Sequence, residues 1–136
     1  MKLLMIYSAS FGYKTNVKNL EAVEDIEERK VIKNSVVGFI QAEKKDEEEM
    51  AKIETKMIKN LKWAAKKNST ENIVLHSFAH LSMSKADEVI TKKMFDSAAK
   101  RLGKSGYNVW QTPFGYFLNL EMNAPGKSLA RVFKEF

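Results

Sequence analysis

Two stretches of the sequence combine side chains and turn residues of the kind that form a site. Residues 74–82 begin as an apolar strand pattern and continue into a loop, and they contain His76 and His80. Residues 112–117 contain a proline, a glycine and three aromatic side chains beside a second strand pattern. Loops at strand ends expose backbone groups on a rigid support, which is where small α/β domains bind ligands. The sequence therefore predicts that both loops line one pocket.

His76 and His80 are the two histidines of the chain. On a helix, a spacing of four would place both on one face, where they could bind a metal. The strand-like residues 73–75 argue against a helix, and no acidic residue close in sequence completes a ligand set. We therefore expect no metal and no cofactor. His80 fits three roles: a general base, a donor that orients the substrate, or a loop histidine bonded to backbone.

Other motifs for hydrolysis or nucleotide binding do not fit. The Gly-x-Ser-x-Gly pattern of serine hydrolases is absent. The Gly-Lys-Ser at residues 103–105 follows a helix pattern and lacks the preceding glycine and strand of a phosphate-binding loop, so we interpret it as a helix end. Phe114, Tyr116 and Phe117 allow two interpretations. They are either a platform on which a nucleic-acid base stacks or residues of the core and the sheet edge.

Composition indicates one domain over residues 1–136, outside membranes and in the cytoplasm. A chain of 136 residues is long enough for one hydrophobic core. Cysteine is absent, which excludes disulfides and a cysteine nucleophile. No apolar run suits a secretion signal or a membrane span. The net charge of +6 favours RNA or DNA as a partner, although lysines that coat exposed helix faces give the same charge.

Apolar periodicity predicts an order of strands and helices typical of a mixed α/β fold. The predicted strands lie at residues 2–8, 11–17, 35–43, 73–75, 107–111 and 116–122. The predicted helices run from Asp46 to about Lys67, from a capping box at Ser84 and Asp87 to Gly103 or Gly106, and over residues 129–136. The first two strands are expected to form a hairpin, and residues 19–34 a loop. The two long helices are expected to pack on one face of a mixed sheet.

The two loops carry motifs that suggest a family. The first reads Phe78-Ala79-His80-Leu81-Ser82 and the second reads Pro113-Phe114-Gly115-Tyr116. Together with the strand patterns at residues 2–8 and 37–44, these motifs resemble the amino-terminal editing domain of archaeal-type threonyl-tRNA synthetase across essentially the whole chain. The resemblance implies the fold of D-aminoacyl-tRNA deacylases, a homodimer, and hydrolysis of mischarged seryl-tRNA(Thr) to serine and tRNA. It also implies the acceptor end of tRNA(Thr) as partner, and catalytic and anticodon-binding domains in the full-length protein.

Editing of this kind has an energetic reason. Serine lacks one methyl group of threonine, worth roughly 1–3 kcal/mol in a pocket, so a synthetic site fitted to threonine cannot exclude serine strictly. The resemblance implies that backbone groups near Ala79 and Phe117 hold the ester and its attacking water, and that His80 orients the serine side chain or amino group. It implies an amino-acid site lined by Ala42, Ser77, Ala79, His80, Phe114, Tyr116 and Phe117.

Two positions depart from the family pattern. Some members carry a lysine and a glutamate, both proposed for catalysis, where this chain has Leu118 and Arg131. Neither residue can accept a proton, so we expect the ribose 2′-OH of the terminal adenosine to assist the water. Two alternatives remain: a D-aminoacyl-tRNA deacylase, and a non-catalytic module for tRNA binding or dimerisation. We expect the chain to be an excised or a naturally separate editing domain.

Overall fold

The computed structural model describes residues 1–136 and contains one six-stranded sheet with two long helices. The strands are β1 (Lys2–Lys18), β2 (Arg29–Gln41), β3 (Asn72–Ser77), β4 (Asn108–Gln111), β5 (Tyr116–Asn123) and β6 (Arg131–Glu135). The helices are α1 (Met50–Lys67) and α2 (Glu88–Lys104), and a 3-10 segment at Lys44–Glu49 precedes α1. This mixed α/β arrangement confirms the predicted fold class.

The directions of the strands bring the carboxyl ends of three of them together. The order is β4-β3-β2-β1-β5, and β6 pairs with β1 beside β5. Strands β2, β3 and β4 are parallel to one another, whereas β1 is antiparallel to β2. The carboxyl ends of the parallel strands, at Gln41, Ser77 and Gln111, therefore lie at the same edge, where open α/β sheets bind ligands.

The sheet curls, because its two outer strands are joined by a short connection. Residues 112–115 alone link β4 to β5, which lie at opposite ends of the strand order. Four residues span at most roughly 17 Å, so the two edges must approach each other at this point. The curl brings the start of β5 towards the carboxyl ends of β3 and β4.

Two apolar clusters fill the two faces of the sheet. The first packs α1 and α2 against residues such as Leu3, Ile40 and Leu75. The second lies on the opposite face and is rich in aromatic side chains, including Phe11, Phe39 and Phe78. Neither helix is long and apolar enough to cross a membrane.

The predicted hairpin at residues 2–17 is wrong, because β1 is one continuous strand. Ala9-Ser10 is not a turn: Ser8 pairs with Ser35 and Ser10 with Lys33. Asn34 of β2, between these two pairs, has a positive φ of 48°. The side chains of β1 change faces here, since Leu3 and Met5 belong to the cluster under the helices and Phe11 and Tyr13 to the opposite one. Residues 29–34, predicted as loop, belong to β2. Their polar composition is explained by exposure, since most of these side chains face solvent.

The predicted helix at residues 129–136 is also wrong, because residues 131–135 form β6. This strand pairs with Lys2–Ile6 of β1. A free strand edge offers a full set of backbone hydrogen bonds, and this tertiary context overrides a helical spacing only two turns long. The second long helix begins at Glu88 rather than at Ser84, and its N-cap is Asp87, whose side chain accepts from Val89 and Ile90.

Candidate active site

A cavity of about 660 Å³ opens at the carboxyl ends of β2 and β3, between the two predicted loops. A volume of this size is typical of sites for small ligands. The first loop covers residues 78–86 and the second covers residues 112–115. All seven residues expected in the amino-acid site lie on the cavity wall, namely Ala42, Ser77, Ala79, His80, Phe114, Tyr116 and Phe117. The fold therefore brings these seven residues together.

The first loop is fastened to the end of β2 by hydrogen bonds. Phe78 N–H donates to the Ile40 carbonyl at 3.0 Å, and Ala86 N–H donates to the Ala42 carbonyl at 3.0 Å. Between these two bonds lies the side chain of Gln41, which is 3% exposed. Its carboxamide makes four hydrogen bonds to the backbone of residues 81–84. The loop thus has a fixed conformation although it lacks regular structure.

Glu43 holds the same loop from a second side. The Ser82 hydroxyl donates to its carboxylate at 2.8 Å, and the α-amino group of Met1 donates to it at 2.7 Å. Burial raises the pKa of the Glu43 carboxyl, but the hydrogen bonds from the α-amino group and Ser82 outweigh burial and lower the pKa to about 2. Glu43 is therefore ionised at neutral pH and remains an acceptor for both donors.

Two consecutive backbone donors of the first loop are unpaired. The N–H groups of Phe78, Leu81 and Ser82 all have acceptors, whereas those of Ala79 and His80 donate to no acceptor in the protein. Both residues lie on the cavity wall. The His80 side chain is exposed, and its ring centroid is 4.9 Å from that of Phe78. This arrangement offers fixed N–H donors to a ligand oxygen in the cavity.

The second loop is held mainly by packing. The Phe114 ring lies 6.0 Å from Phe95 of α2, measured between centroids. Gly115 has a positive φ of 85°, and a Cβ there would lie 2.8 Å from a methyl carbon of Val23. One backbone bond joins the loop to the 19–28 segment, from Asn19 N–H to the Gly115 carbonyl at 2.8 Å. Glycine is therefore required at position 115 for both backbone conformation and space.

The three aromatic side chains of this region have different environments. Tyr116 is buried, and its hydroxyl accepts from Ile26 N–H at 2.9 Å and donates to the Glu24 carbonyl. Phe114 packs on α2, as described above. Phe117 is 51% exposed. Of the two interpretations of the aromatic group, packing thus accounts for Phe114 and Tyr116, while Phe117 remains free to stack on a base.

His76 is a buried residue of the cavity wall and not part of a metal cluster. It is 5% exposed, and its Nδ1 lies 2.9 Å from the Thr112 hydroxyl. Burial among aromatic rings, with Phe39 at 5.1 Å, lowers the pKa of His76 to about 4, so it is neutral at pH 7. No group of three histidine, aspartate or glutamate side chains is placed to hold a metal ion. The bond to Thr112 links β3 to the start of the second loop.

The two departures from the family pattern lie in different places. Leu118 is on the cavity wall and half-buried. Arg131 is on β6, where its guanidinium donates to the Ala124 carbonyl at 3.0 Å, and it does not line the cavity. Neither places a proton acceptor at the site.

The polar residues of the cavity wall that sequence reasoning missed include Gln41, Lys85 and Glu88. The signal for Gln41 was available, because it is a polar residue at the end of the apolar run 36–40. Lys85 and Glu88 gave no signal, because a lysine and a glutamate before a helix are usually solvated. Their side chains are exposed and form no ion pair with the protein.

The fold has a solved counterpart. The chain resembles the structure named c-Myc DNA Unwinding Element Binding Protein with a TM-score of 0.69 and 12% sequence identity, covering 100% of this chain and 99% of that one. At this identity the likeness shows the fold alone.

Sequence comparison defines the family. Residues 1–136 match the family described as the archaea-specific editing domain of threonyl-tRNA synthetase. The chain is 33% identical over 135 residues to a threonine–tRNA ligase of Methanosphaera stadtmanae and 30% identical over 135 residues to one of Pyrococcus furiosus. In both cases the match covers 97% of this chain and 22% of the relative. The chain therefore belongs to this family of editing domains, which are deacylases, and it spans about a fifth of the length of the relatives.

Proposed function

We propose that this domain hydrolyses mischarged seryl-tRNA(Thr) to serine and tRNA. The observation that carries the proposal is the pair of unpaired N–H groups at Ala79 and His80 on the wall of the cavity. In ester hydrolysis, water adds to the carbonyl carbon, negative charge develops on the carbonyl oxygen, and the bond to the ribose oxygen breaks. Fixed N–H donors aimed at the developing charge stabilise that transition state.

In this proposal, selection for serine is made by the cavity wall at the carboxyl ends of β2 and β3. Ala42 is buried and Ser77 is half-buried, and both lie at the strand ends beside the first loop. In this proposal His80 orients the hydroxyl or amino group of serine, and the wall beside Ala42 and Ser77 clashes with the extra methyl of threonine. A clash of this kind rejects threonyl-tRNA, whereas a higher affinity for serine alone would not.

The RNA end is held outside the amino-acid site. Phe117 stacks on the terminal adenine, a contact that tolerates any base. Lys85 lies on the cavity wall without a carboxylate partner and contacts a phosphate, in keeping with the net charge of +6. The domain works as a homodimer in the cytoplasm, joined to catalytic and anticodon-binding domains.

In this proposal the 2′-OH of the substrate assists the attacking water: it accepts a hydrogen bond from the water and passes a proton to the ribose oxygen as the ester bond breaks. Leu118 and Arg131 have no proton-accepting group, and burial keeps the pKa of His76 near 4, so that its neutral ring is a weak base. Glu88 is the one carboxylate on the cavity wall. It is therefore the one side chain that offers an alternative to the 2′-OH, and the test has to include a Glu88 variant.

Deacylation of matched substrates tests the proposal. Seryl-tRNA(Thr) is compared with the same tRNA carrying a 2′-deoxy terminal adenosine, using wild type and Glu88→Gln. We expect the deoxy substrate to react at least about a hundredfold more slowly and Glu88→Gln to change the rate by less than about threefold. An undiminished rate on the deoxy substrate would refute substrate assistance. Activity on D-aminoacyl-tRNA but not on seryl-tRNA(Thr) would select the D-aminoacyl-tRNA deacylase, and tRNA binding without any deacylation would select the non-catalytic module.

A further inference from the structure

We propose that Gln41 is a positioning residue for the deacylation reaction, which fixes the first loop so that the Ala79 and His80 N–H groups face the reacting ester. This inference rests on the proposed function, because it assigns a role within the same site. Gln41 is the last residue of β2, lies on the cavity wall, and is 3% exposed.

All four hydrogen-bonding positions of the Gln41 carboxamide are used. Its Nε2 donates to the carbonyls of Ser82 and Ser84 at 2.8 and 2.9 Å. Its Oε1 accepts from the N–H groups of Leu81 and Ser82 at 2.7 and 2.8 Å. A glutamine amide has two donors and an acceptor with two lone pairs, so this side chain is fully satisfied by one loop. No other side chain of this length and polarity would match both sets of partners.

These bonds lie next to the two unpaired donors. Phe78 N–H is bonded to the Ile40 carbonyl on one side, and Leu81 N–H is bonded to Gln41 on the other. The two residues between them are Ala79 and His80. Since both flanking amides are held by consecutive residues of β2, the peptide planes between them have little freedom. Preorganisation of donors in this way is what transition-state stabilisation requires, and a displacement of about 1 Å costs up to roughly a hundredfold in rate.

The chain offers a matched control in Gln111. This glutamine lies at the carboxyl end of β4, near the same edge of the sheet. Its carboxamide contacts Asp96 at 3.1 Å and Lys92 at 3.4 Å, both on α2, and it does not line the cavity. Removing this side chain therefore disturbs a comparable position without freeing the first loop.

Amide hydrogen exchange tests the geometry without any assumption about function. In the wild type we expect the Leu81 and Ser82 N–H groups to be protected. In Gln41→Ala we expect both to exchange at least about tenfold faster, whereas Phe78 and Ala86 N–H, bonded to β2 carbonyls, keep their protection. In Gln111→Ala none of the four changes. Equal exchange of Leu81 and Ser82 in wild type and Gln41→Ala would overturn the inference.

Kinetics of Gln41→Glu test the role in the reaction. This change keeps the size and the acceptor but replaces the donor towards Ser82 and Ser84 with a carboxylate oxygen. At about pH 8 we expect kcat on seryl-tRNA(Thr) to fall roughly tenfold to a hundredfold, with KM within about twofold, because contacts to the RNA are unaffected. A protonated carboxyl regains one donor, so the ratio of variant to wild-type kcat should rise at least about threefold towards pH 6.

The pH dependence of the ratio of variant to wild-type kcat reports on the residue at position 41. The titratable side chains around the loop are the same in both proteins and cancel, namely Glu43, His76, His80, Lys85 and Glu88. A variant that was only less stable would show no such recovery at lower pH. If the wild type is active and the Gln41 variants behave like Gln111→Ala, this inference is wrong and the proposed function stands. If the wild type is inactive on seryl-tRNA(Thr) while Leu81 and Ser82 show the expected exchange, the proposed function is wrong and the loop geometry stands.

Discussion

The two loops of the cavity are held by different forces. The first loop, residues 78–86, depends on hydrogen bonds with the side chains of Gln41 and Glu43. The second loop, residues 112–115, is hydrogen-bonded only at its two ends, at Thr112 and Gly115, and otherwise depends on the packing of Phe114 against Phe95 and of Gly115 against Val23. Hydrogen bonds fix direction, because they weaken steeply when misaligned, whereas packing fixes shape and volume. We infer that the first loop supplies oriented donors and that the second supplies part of the shape of the cavity wall.

The largest effect is expected where the second loop is packed most tightly. Gly115→Ala should destabilise the fold by roughly 2–4 kcal/mol, because a Cβ would lie 2.8 Å from Val23 and alanine disfavours a φ of 85°. Urea unfolding measures this difference. Gly103→Ala is the control, since Gly103 lies in α2 with nothing within 4 Å, and it should stabilise by about 0.5–1 kcal/mol. Equal effects of both changes would contradict the packing assigned to the second loop.

The next effect concerns His76, which links β3 to the second loop through its contact with Thr112. Its pKa is lowered from 6.5 to about 4 by burial, so below pH 6.5 the unfolded chain binds a proton that the folded chain does not. Stability is therefore fully present above pH 6.5 and is lost as the pH falls towards 4. Between about pH 7.5 and about pH 5 we expect a loss of about 2 kcal/mol in the free energy of unfolding.

Two variants separate this titration from the hydrogen bond. In His76→Gln the pH dependence over that interval should shrink to less than about 0.5 kcal/mol. In Thr112→Val the stability falls but the pH dependence remains, because the buried imidazole is still present. The carboxyl of Glu43 titrates lower, between its ordinary pKa of 4.5 and about 2, and so contributes less than about 0.3 kcal/mol over this interval. An unchanged slope in His76→Gln would contradict the assignment.

A smaller effect is expected for His80, which projects from the first loop. In the proposed function it orients the serine, so His80→Ala should raise KM for seryl-tRNA(Thr) roughly tenfold and lower kcat less. The side chain is exposed and donates or accepts no hydrogen bond within the protein, so thermal stability should not change. A loss confined to kcat would instead indicate a general base.

The smallest effect is expected for Phe117, which follows the second loop. Phe117→Ala should weaken binding of the tRNA end roughly threefold to tenfold through loss of stacking, with stability nearly unchanged, because the ring is 51% exposed. Equilibrium binding of uncharged tRNA measures the loss. Val31→Ala removes a similarly exposed apolar side chain, 57% exposed and outside the cavity, and should not change binding. Identical binding by both variants would remove the stacking role.

Much of the fold could be predicted from periodicity, and the wrong predictions have a common physical cause. The helices at residues 50–67 and 88–104 show a strong apolar stripe, and the buried runs 35–41 and 73–75 have the composition of strands. The errors arose where long-range pairing decided the structure. Residues 29–34 and 131–135 have weak local patterns, and both become strands because they pair with β1. A local reading of the sequence cannot detect a partner that is distant in the chain.

The site was predictable to a different extent. The two loops and the seven wall residues could be located from motifs and from the family resemblance, and they line one cavity. The part that could not be predicted is the support of the first loop by Gln41, Glu43 and Ser82, since these bonds join residues about 40 positions apart. Hydrogen-bond partners between side chain and backbone depend on the folded geometry and leave no periodic signal.

The most direct test of the account is a comparison of two substrates that differ by one methyl group. Deacylation rates of seryl-tRNA(Thr) and threonyl-tRNA(Thr) are measured with the purified chain at equal, subsaturating concentrations. We predict that the seryl ester is hydrolysed roughly ten to two hundred times faster, as a methyl clash in a small pocket implies. Equal rates for the two esters would contradict a cavity that selects serine by size.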